Sequence, residues 1–274
     1  DQHSSLSNLR VYPYLSSIFE VDGVKYVPVS PSERTCHAID CAYDSTAMVI
    51  NVGETAIYKR VEMKVMEVMP YTFYGNDHIK EVSVSHLGNL GYYAFYDCDP
   101  IETVNVSNQG GIGNQAFYDC DGIKNVDICN QGNIGSQAFY GCNAMETATL
   151  ANEGAVGNQA FSGCSSLKAV TLGDGIGSLG DEAFYQCTSL QEIMIPDSVK
   201  AVGEFCFSGC SAMKGATIGD GVPNIAKCTF QSCTGLINVV VGDGVTTINN
   251  YAFTGCSALT NVTLGRSVAT INNY

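Results

Sequence analysis

Apolar residues in this chain fall into two alternating patterns. Near the middle they stand at Ile112, Ala116, Phe117, Cys120 and Ile123, in steps of 4, 1, 3 and 3. That is the spacing of one face of a short helical segment. Val126 and Ile128 follow with polar residues between and beside them, the alternation of a half-buried strand. Gly-rich turns close the unit, as in GDGI at 173–176 and GDGV at 219–222 and 242–245. Asp-Gly suits a tight turn because glycine accepts positive φ without strain.

The same unit recurs along the chain. Its anchor is Phe73, Phe95, Phe117, Phe139, Phe161, Phe184, Phe207, Phe230 and Phe253, in steps of 22 and then 23 residues. The strand pair recurs as Val104 and Val106, Val170 and Leu172, Val239 and Val241, and Val262 and Leu264. A unit this short cannot bury its own apolar face, but stacked copies can, which predicts a solenoid with one continuous core. Its strands form a parallel sheet with one rung per repeat. About nine rungs at ~4.8 Å make a rod on the order of 40–45 Å long.

The first part of the chain reads differently. Residues 1–10 are polar and are expected to be frayed. IFEVDGVKYVPV, 18–29, predicts a hairpin turning at Asp22-Gly23. CHAIDCAY and AMVINV predict further strands, and AIYKRVEMKVMEVM alternates up to the first repeat. The expected organisation is a β-rich cap over 1–64 covering the end of a solenoid over 65–274. An uncapped end would expose apolar surface and an unpaired strand edge.

The segment LQEIMIPDSVKAVGEFCFSGCSAM, 190–213, resembles the repeat L-x-x-I-x-I-P-x-x-V-x-x-I-G-x-x-A-F-x-G-C-x-x-L. That repeat belongs to the BspA-like leucine-rich repeats of bacterial and protozoan surface proteins. The resemblance extends over 65–274. It implies an α/β solenoid: a right-handed leucine-rich-repeat superhelix with a parallel sheet, short helical turns and a β-rich N-terminal cap. It also implies a non-enzymatic cell-surface or secreted protein that binds or adheres to a surface or matrix protein of a host or neighbouring cell. Two departures stand out. Only Pro196 keeps the proline that follows the strand, and four early units are one residue short in that turn. There the apolar position is read as Leu87, Gln109, Gln131 or Glu153, which predicts a change of curvature between the halves.

Composition narrows the function. The chain has 274 residues, with 13 Lys+Arg against 27 Asp+Glu and a formal net charge of -14. That balance disfavours nucleic acid, whose backbone calls for a basic surface, and simple adsorption to anionic lipid. With 45% hydrophobic and 15% charged residues the chain can form a core. No apolar run reaches the ~18 residues of a membrane helix, so no span is expected in this fragment. The start at Asp1 and the end inside the pattern VATINNY read as a mature or trimmed fragment.

Thirteen cysteines admit three readings. Cys98, Cys120, Cys142, Cys164, Cys187, Cys210, Cys233 and Cys256 each follow an anchor Phe by three residues, and Asn76 takes that place in the first unit. No C-x-x-C occurs, and His3, His37, His78 and His86 have no ligand spacing, so no metal is expected. Stacked cysteines would have parallel Cβ bonds, a poor geometry for bridging. The reading preferred is a small apolar residue filling a tight corner beneath the Phe. In the cap, Cys36 and Cys41 are the candidate disulfide. Cys129, Cys206 and Cys228 are off the pattern.

A solenoid displays each repeat position as a ladder. Lys80, Glu102, Lys124, Glu146 and Lys168 alternate in sign from rung to rung and read as register support. Asp97, Asp99, Asp119 and Asp121 form an acidic cluster, but later rungs carry Asn143, Ser165 and Thr188 after the Cys, a turn set. Asn108, Asn130 and Asn152 read as turn amides. The candidate binding residues are two groups. Tyr74, Tyr96, Tyr118 and Tyr140 follow the anchor Phe and should lean outward as an aromatic strip. Thr103, Asn105, Asn125, Asp127, Thr147 and Thr149 form outward columns on the sheet. Contact energy concentrates in aromatic anchors, so rungs 71–161 are the candidate surface, facing a neutral or basic partner. Alternatives are a stalk or spacer, and a carbohydrate-binding module that uses the Tyr strip. No nucleophile elbow, Walker loop, dinucleotide fingerprint or HExxH occurs. No catalytic residue, cofactor or metal ligand is expected.

Overall fold

The computed structural model describes residues 17–30, 32–41 and 48–273. The stretch 1–10, expected to be frayed, lies outside the described residues.

Six strands open the chain: β1 (Phe19–Val21), β2 (Val24–Ser30), β3 (Thr35–Cys41), β4 (Met48–Val52), β5 (Thr55–Tyr58) and β6 (Val61–Val68). The β1–β2 hairpin turns at Asp22 and Gly23, whose φ values of 48° and 78° are those of the twist-compatible tight turn. Five of these strands form one sheet in the order β1-β2-β3-β6-β5. β4 does not join it. It pairs in parallel with β7 (Ile79–Val84) and heads the main sheet of the rod. β6 also reaches into the rod, where Val68 bridges to Leu90. Cap and solenoid are therefore interlocked by two strands, and one hydrophobic core runs through both.

The main ladder continues as β8 (Thr103–Val106), β9 (Asn125–Ile128), β10 (Thr147–Leu150) and β12 (Ala169–Leu172). Pairing is parallel and strictly in register, with Thr103 beside Asn125 and Asn125 beside Thr147. Val126 and Ile128 point into the core while Asn125 and Asp127 are exposed, as a period of two requires. After β12 the sheet ends. A second main sheet of four strands takes over: β14 (Glu192–Ile195), β16 (Gly215–Ile218), β18 (Asn238–Val241) and β20 (Asn261–Thr263).

A second side of the rod carries shorter pairings. Val68, Leu90, Ile112, Ile134 and Val156 form a file of parallel bridges. The file continues through β11 (Ala155–Val156), β13 (Ser178–Leu179) and β15 (Ala201–Val202). It resumes as β17 (Asn224–Ile225), β19 (Thr247–Ile248) and β21 (Thr270–Ile271).

The corner around each anchor Phe is not helical, and strands account for all the regular elements, with no α-helix among the described residues. The fold is a β-solenoid, not the α/β arrangement with short helical turns that the sequence predicted. Hydrogen bonding explains the difference. Gln115, Phe117 and Asp119 donate their N–H groups forward to Ser136, Ala138 and Tyr140 of the next rung, at 3.0, 2.7 and 2.8 Å. Ala116 and Tyr118 donate back within the rung to Gly113 and Gln115, both at 3.3 Å. Alternate N–H groups thus leave the rung, so no continuous i→i−4 ladder can form. Gln115 and Asp119 stand at φ 55° and 57°, left-handed values that cost a non-glycine residue about 1 kcal/mol or more. Two residues after Phe, five units place Gly75, Gly141, Gly163, Gly209 and Gly255, all with positive φ. That glycine column was the overlooked sign of a left-handed turn.

The short early turns are also arranged differently from the expectation. The residue that enters the core is one place earlier than predicted. His86, Asn108, Asn130 and Asn152 are buried, while Gln109, Gln131 and Glu153 are exposed. Asn108 Nδ2 donates to the carbonyls of Gly88 and Gly111 at 2.7 and 3.2 Å, so the amides do serve the neighbouring turns. From Ile176 onward the longer turn buries Ile176, Val199, Val222 and Val245 instead. The main sheet divides at this change of repeat. Val170 and Leu172 of β12 are only half buried, unlike their counterparts Val126 and Ile128.

Candidate functional site

The interior sets the position of everything displayed outside. The anchor Phe rings form one column, with Phe95, Phe117 and Phe139 stacked at 4.9 Å and 2–5° between planes. All are buried except Phe253 at the last rung, which is half buried. Three residues on, each repeat Cys donates its thiol to the carbonyl of the previous rung's Phe, as Cys98 does to Phe73 at 3.0 Å. The cysteines are free and the repeat thiols are buried except at the last rung, where Cys256 is half buried. Burial pushes the Cys98 thiol up to about 12. Cys36 and Cys41 are also free and buried. They stand near opposite ends of the same strand, roughly 16 Å apart at an extended rise, which is too far for a bridge. Cys36 instead donates to the Lys64 carbonyl, and Asn76 Nδ2 donates to Cys41 Sγ.

Because the Phe column is in register, the residue after it is too. Tyr74, Tyr96, Tyr118 and Tyr140 stack at 5.1, 4.9 and 4.9 Å, with 3–9° between planes. Tyr71, Tyr92 and Tyr93 extend the cluster. Tyr71 stacks on Tyr93 at 5.0 Å and Tyr93 meets Tyr96 at 5.5 Å. The strip stops after Tyr140, where buried Ser162 takes the place, and Tyr185 stands apart. Packing raises the phenol pKa values of Tyr96 and Tyr118, through burial first and neighbouring tyrosines second. The rings cover one another's faces, which leaves edges and hydroxyls outward.

The sheet columns lie on a different segment of each rung. Thr103, Asn125 and Thr147 are cross-strand neighbours, as are Asn105, Asp127 and Thr149. Thr147 Oγ1 donates to Asn125 Oδ1 at 2.8 Å. Asn105, Asn125, Asp127, Thr147 and Thr149 are exposed and Thr103 is half buried. No hydrogen bond or ring contact joins this group to the tyrosines among the described residues, so the two candidate groups are two surfaces.

The charge ladder is discontinuous. Lys124 bonds Glu102 at 2.6 Å, with Lys80 at 3.9 Å on the other side, and Lys168 bonds Glu146 at 2.8 Å. The lysines hold both glutamates below the usual carboxylate range. In the acidic cluster, Asp99 and Asp121 each accept the backbone N–H of the next rung, from Asp121 and Asn143. Burial, and then the neighbouring aspartates, push the Asp119 carboxyl up.

Comparison with known proteins agrees with this architecture. The BspA type leucine-rich repeat region matches residues 58–164 and 154–274, in six copies. A leucine-rich repeat protein from Bacteroides ovatus is 23% identical over 93% of this chain and 78% of its own, with a TM-score of 0.52. The pneumococcal vaccine antigen PcpA is 14% identical over 93% of this chain and 72% of its own, with a TM-score of 0.53. A leucine-rich cell surface protein from Faecalibacterium prausnitzii aligns over 90% of this chain and 94% of its own at 17% identity, with a TM-score of 0.46. A search of the curated proteins returned no match. No helix among the described residues is long and apolar enough to cross a membrane.

Proposed function

This chain belongs to the BspA type leucine-rich repeat family, and we propose that it is a non-enzymatic cell-surface or secreted binding protein. Its partner is a surface or matrix protein of a host or neighbouring cell, held by the early rungs. The observation that carries this reading is the tyrosine cluster. Seven tyrosines from Tyr71 to Tyr140 are joined ring to ring on one corner. Interface energy concentrates in aromatic anchors of this kind. The stack also favours a protein over a glycan at this strip. A sugar ring packs on an aromatic face, and the faces of Tyr96 and Tyr118 are taken by their neighbours. Edges and hydroxyls remain, and they suit a ribbed protein surface. The net charge of -14 favours a neutral or basic partner, with attraction that weakens in salt.

The test is an array of matrix and cell-surface proteins probed with the chain and two variants. One carries Tyr96→Ser, Tyr118→Ser and Tyr140→Ser. The other alters Thr103, Asn105, Thr147 and Thr149 on the sheet. Loss of a bound partner with the first variant alone supports the tyrosine strip. Loss with the second alone moves the site to the sheet. Equal binding by both variants and the parent rejects the early rungs.

A further inference from the structure

The second side of the rod carries a feature that the tyrosine strip does not explain. A groove of about 780 Å³ runs along the file of bridges from Val68 to Val156. Its floor is almost bare of side chains. Gly91, Gly113, Gly135 and Gly157 recur there, one per rung. A Cβ on Gly113 would come within 2.4 Å of Tyr92 N, and one on Gly135 within 2.6 Å of Asn114 N. Close stacking of the rungs therefore excludes side chains, and the groove is the external consequence.

The polar groups around the floor are held in fixed orientations. Asn89 Oδ1 accepts from Gly111 N at 2.8 Å, Asn114 Oδ1 from Ser136 N at 2.9 Å, and Asn133 Oδ1 from Ala155 N at 2.7 Å. Each amide is clamped to the next rung through its oxygen, and its Nδ2 has no partner among the described residues. Tyr92 stands at one end, 45% exposed. It meets Tyr71 and Tyr93 edge to face, at 83° and 80° between planes, and the rest of the ring is open to the groove. Glu67 also lines the groove, and none of the lining residues is Lys, Arg or His.

Those observations select a ligand class. The absence of a cation among the lining residues, beside Glu67 and a strongly acidic chain, disfavours phosphate, sulfate or uronate. The floor's N–H groups are already used between rungs, as in Gly113 to Leu90 and Gly135 to Ile112, both at 2.8 Å, so an added peptide strand finds no backbone ladder to join. What remains is a flat backbone floor, spare amide donors, a carboxylate and one exposed tyrosine. We propose that this groove binds a neutral oligosaccharide lying along the rod axis. One sugar ring packs on Tyr92, and hydroxyls meet the amides of Asn89, Asn114 and Asn133. Each rung advances about 4.8 Å, close to the length of one pyranose unit in an extended glycan, so successive sugars meet successive rungs. This site shares Tyr92 with the tyrosine cluster but lies apart from the rest of it, since no other tyrosine lines the groove.

The test titrates the full chain with the neutral hexasaccharides of cellulose, xylan, mannan, amylose and chitin, followed by calorimetry. Saturable binding of at least one is expected. The combined Asn89→Asp, Asn114→Asp and Asn133→Asp variant should weaken it by about tenfold or more. Each Asp keeps the acceptor that clamps the next rung and removes the spare donor. Asp is already used this way on the same side, where Asp181 Oδ1 accepts from Glu204 N at 2.8 Å, and unchanged melting verifies the fold. Tyr92→Ala should weaken binding similarly, and Tyr118→Ser should leave it intact. The proposal is overturned if none of the five sugars binds saturably at millimolar concentration. It is equally overturned if binding survives both groove variants, or if only anionic glycans or peptides bind.

Discussion

Cys120 Sγ lies 2.9 Å from the backbone carbonyl oxygen of Phe95, one rung back. The same bond recurs from Cys142 to Phe117 and from Cys164 to Phe139, both at 3.2 Å. A cysteine at this corner is small enough to sit beneath the Phe and still offers a weak donor to a carbonyl in the core. The repeating AF-x-x-C motif is thus one packing contact and one hydrogen bond, copied along the rod.

Thiol labelling should follow this arrangement. Cys129 is exposed, whereas Cys120, Cys142, Cys164, Cys187 and Cys210 are buried, with thiols pushed up by burial. An alkylating reagent followed by peptide mass spectrometry should modify Cys129 within minutes and Cys256 next. The buried thiols should react only after unfolding. Rapid modification of Cys142 in the native protein would show that the column is not the core.

Phe139→Ala removes a ring held between Phe117 at 4.9 Å and Phe161 at 5.1 Å. The expected cost is about 3–5 kcal/mol, read by chemical denaturation. Each rung contacts only its neighbours, so hydrogen exchange should speed up most in the rungs around residue 139 and least in the cap.

Gly113→Ala tests the close approach of rungs on the groove side. The added methyl meets Tyr92 N at 2.4 Å and Gly91 C at 2.6 Å, both backbone atoms that cannot swing away. Overpacking of this kind costs about 1–3 kcal/mol. Gly75→Ala makes no such contact, but it forces a Cβ onto a φ of 64° and should cost about 1 kcal/mol. A larger loss at Gly75 than at Gly113 in thermal denaturation would contradict the stacking account.

Stability should fall in mild acid through His86. The ring is buried, its Nε2 lies 2.9 Å from the Asn89 carbonyl oxygen, and its Nδ1 has no partner. Burial lowers its pKa, and that of His37 is lowered by burial and by His86. The unfolded chain therefore takes up protons below pH ~6.5 while the folded chain does not. Stability contributed by the neutral rings is present above that pH and is lost as pH falls toward the folded pKa values. His86→Asn copies the residue of the next rungs, Asn108 and Asn130, and should flatten the melting-temperature profile between pH 7 and 5. An unchanged profile would assign the acid sensitivity elsewhere.

The sequence by itself determined the period, the parallel in-register ladder, the buried Phe and Cys columns and the tyrosine file. These are properties of one rung repeated, and alternation or recurrence along the chain suffices to read them. The tertiary structure decided what depends on the neighbouring rung. Whether Phe117 N–H closes a turn or reaches Ala138 is settled by the corner of the next rung, so a helix-like spacing became a row of turns. Whether Tyr118 shows its face or its edge depends on Tyr96 and Tyr140. β4, read as part of the cap, became the first strand of the main sheet because the open edge of β7 has backbone groups that need a partner. The groove at Asn89, Asn114 and Asn133 left no sign in hydrophobic periodicity. It is made by glycines whose function is the close contact of two rungs, and closeness between rungs exists only after stacking.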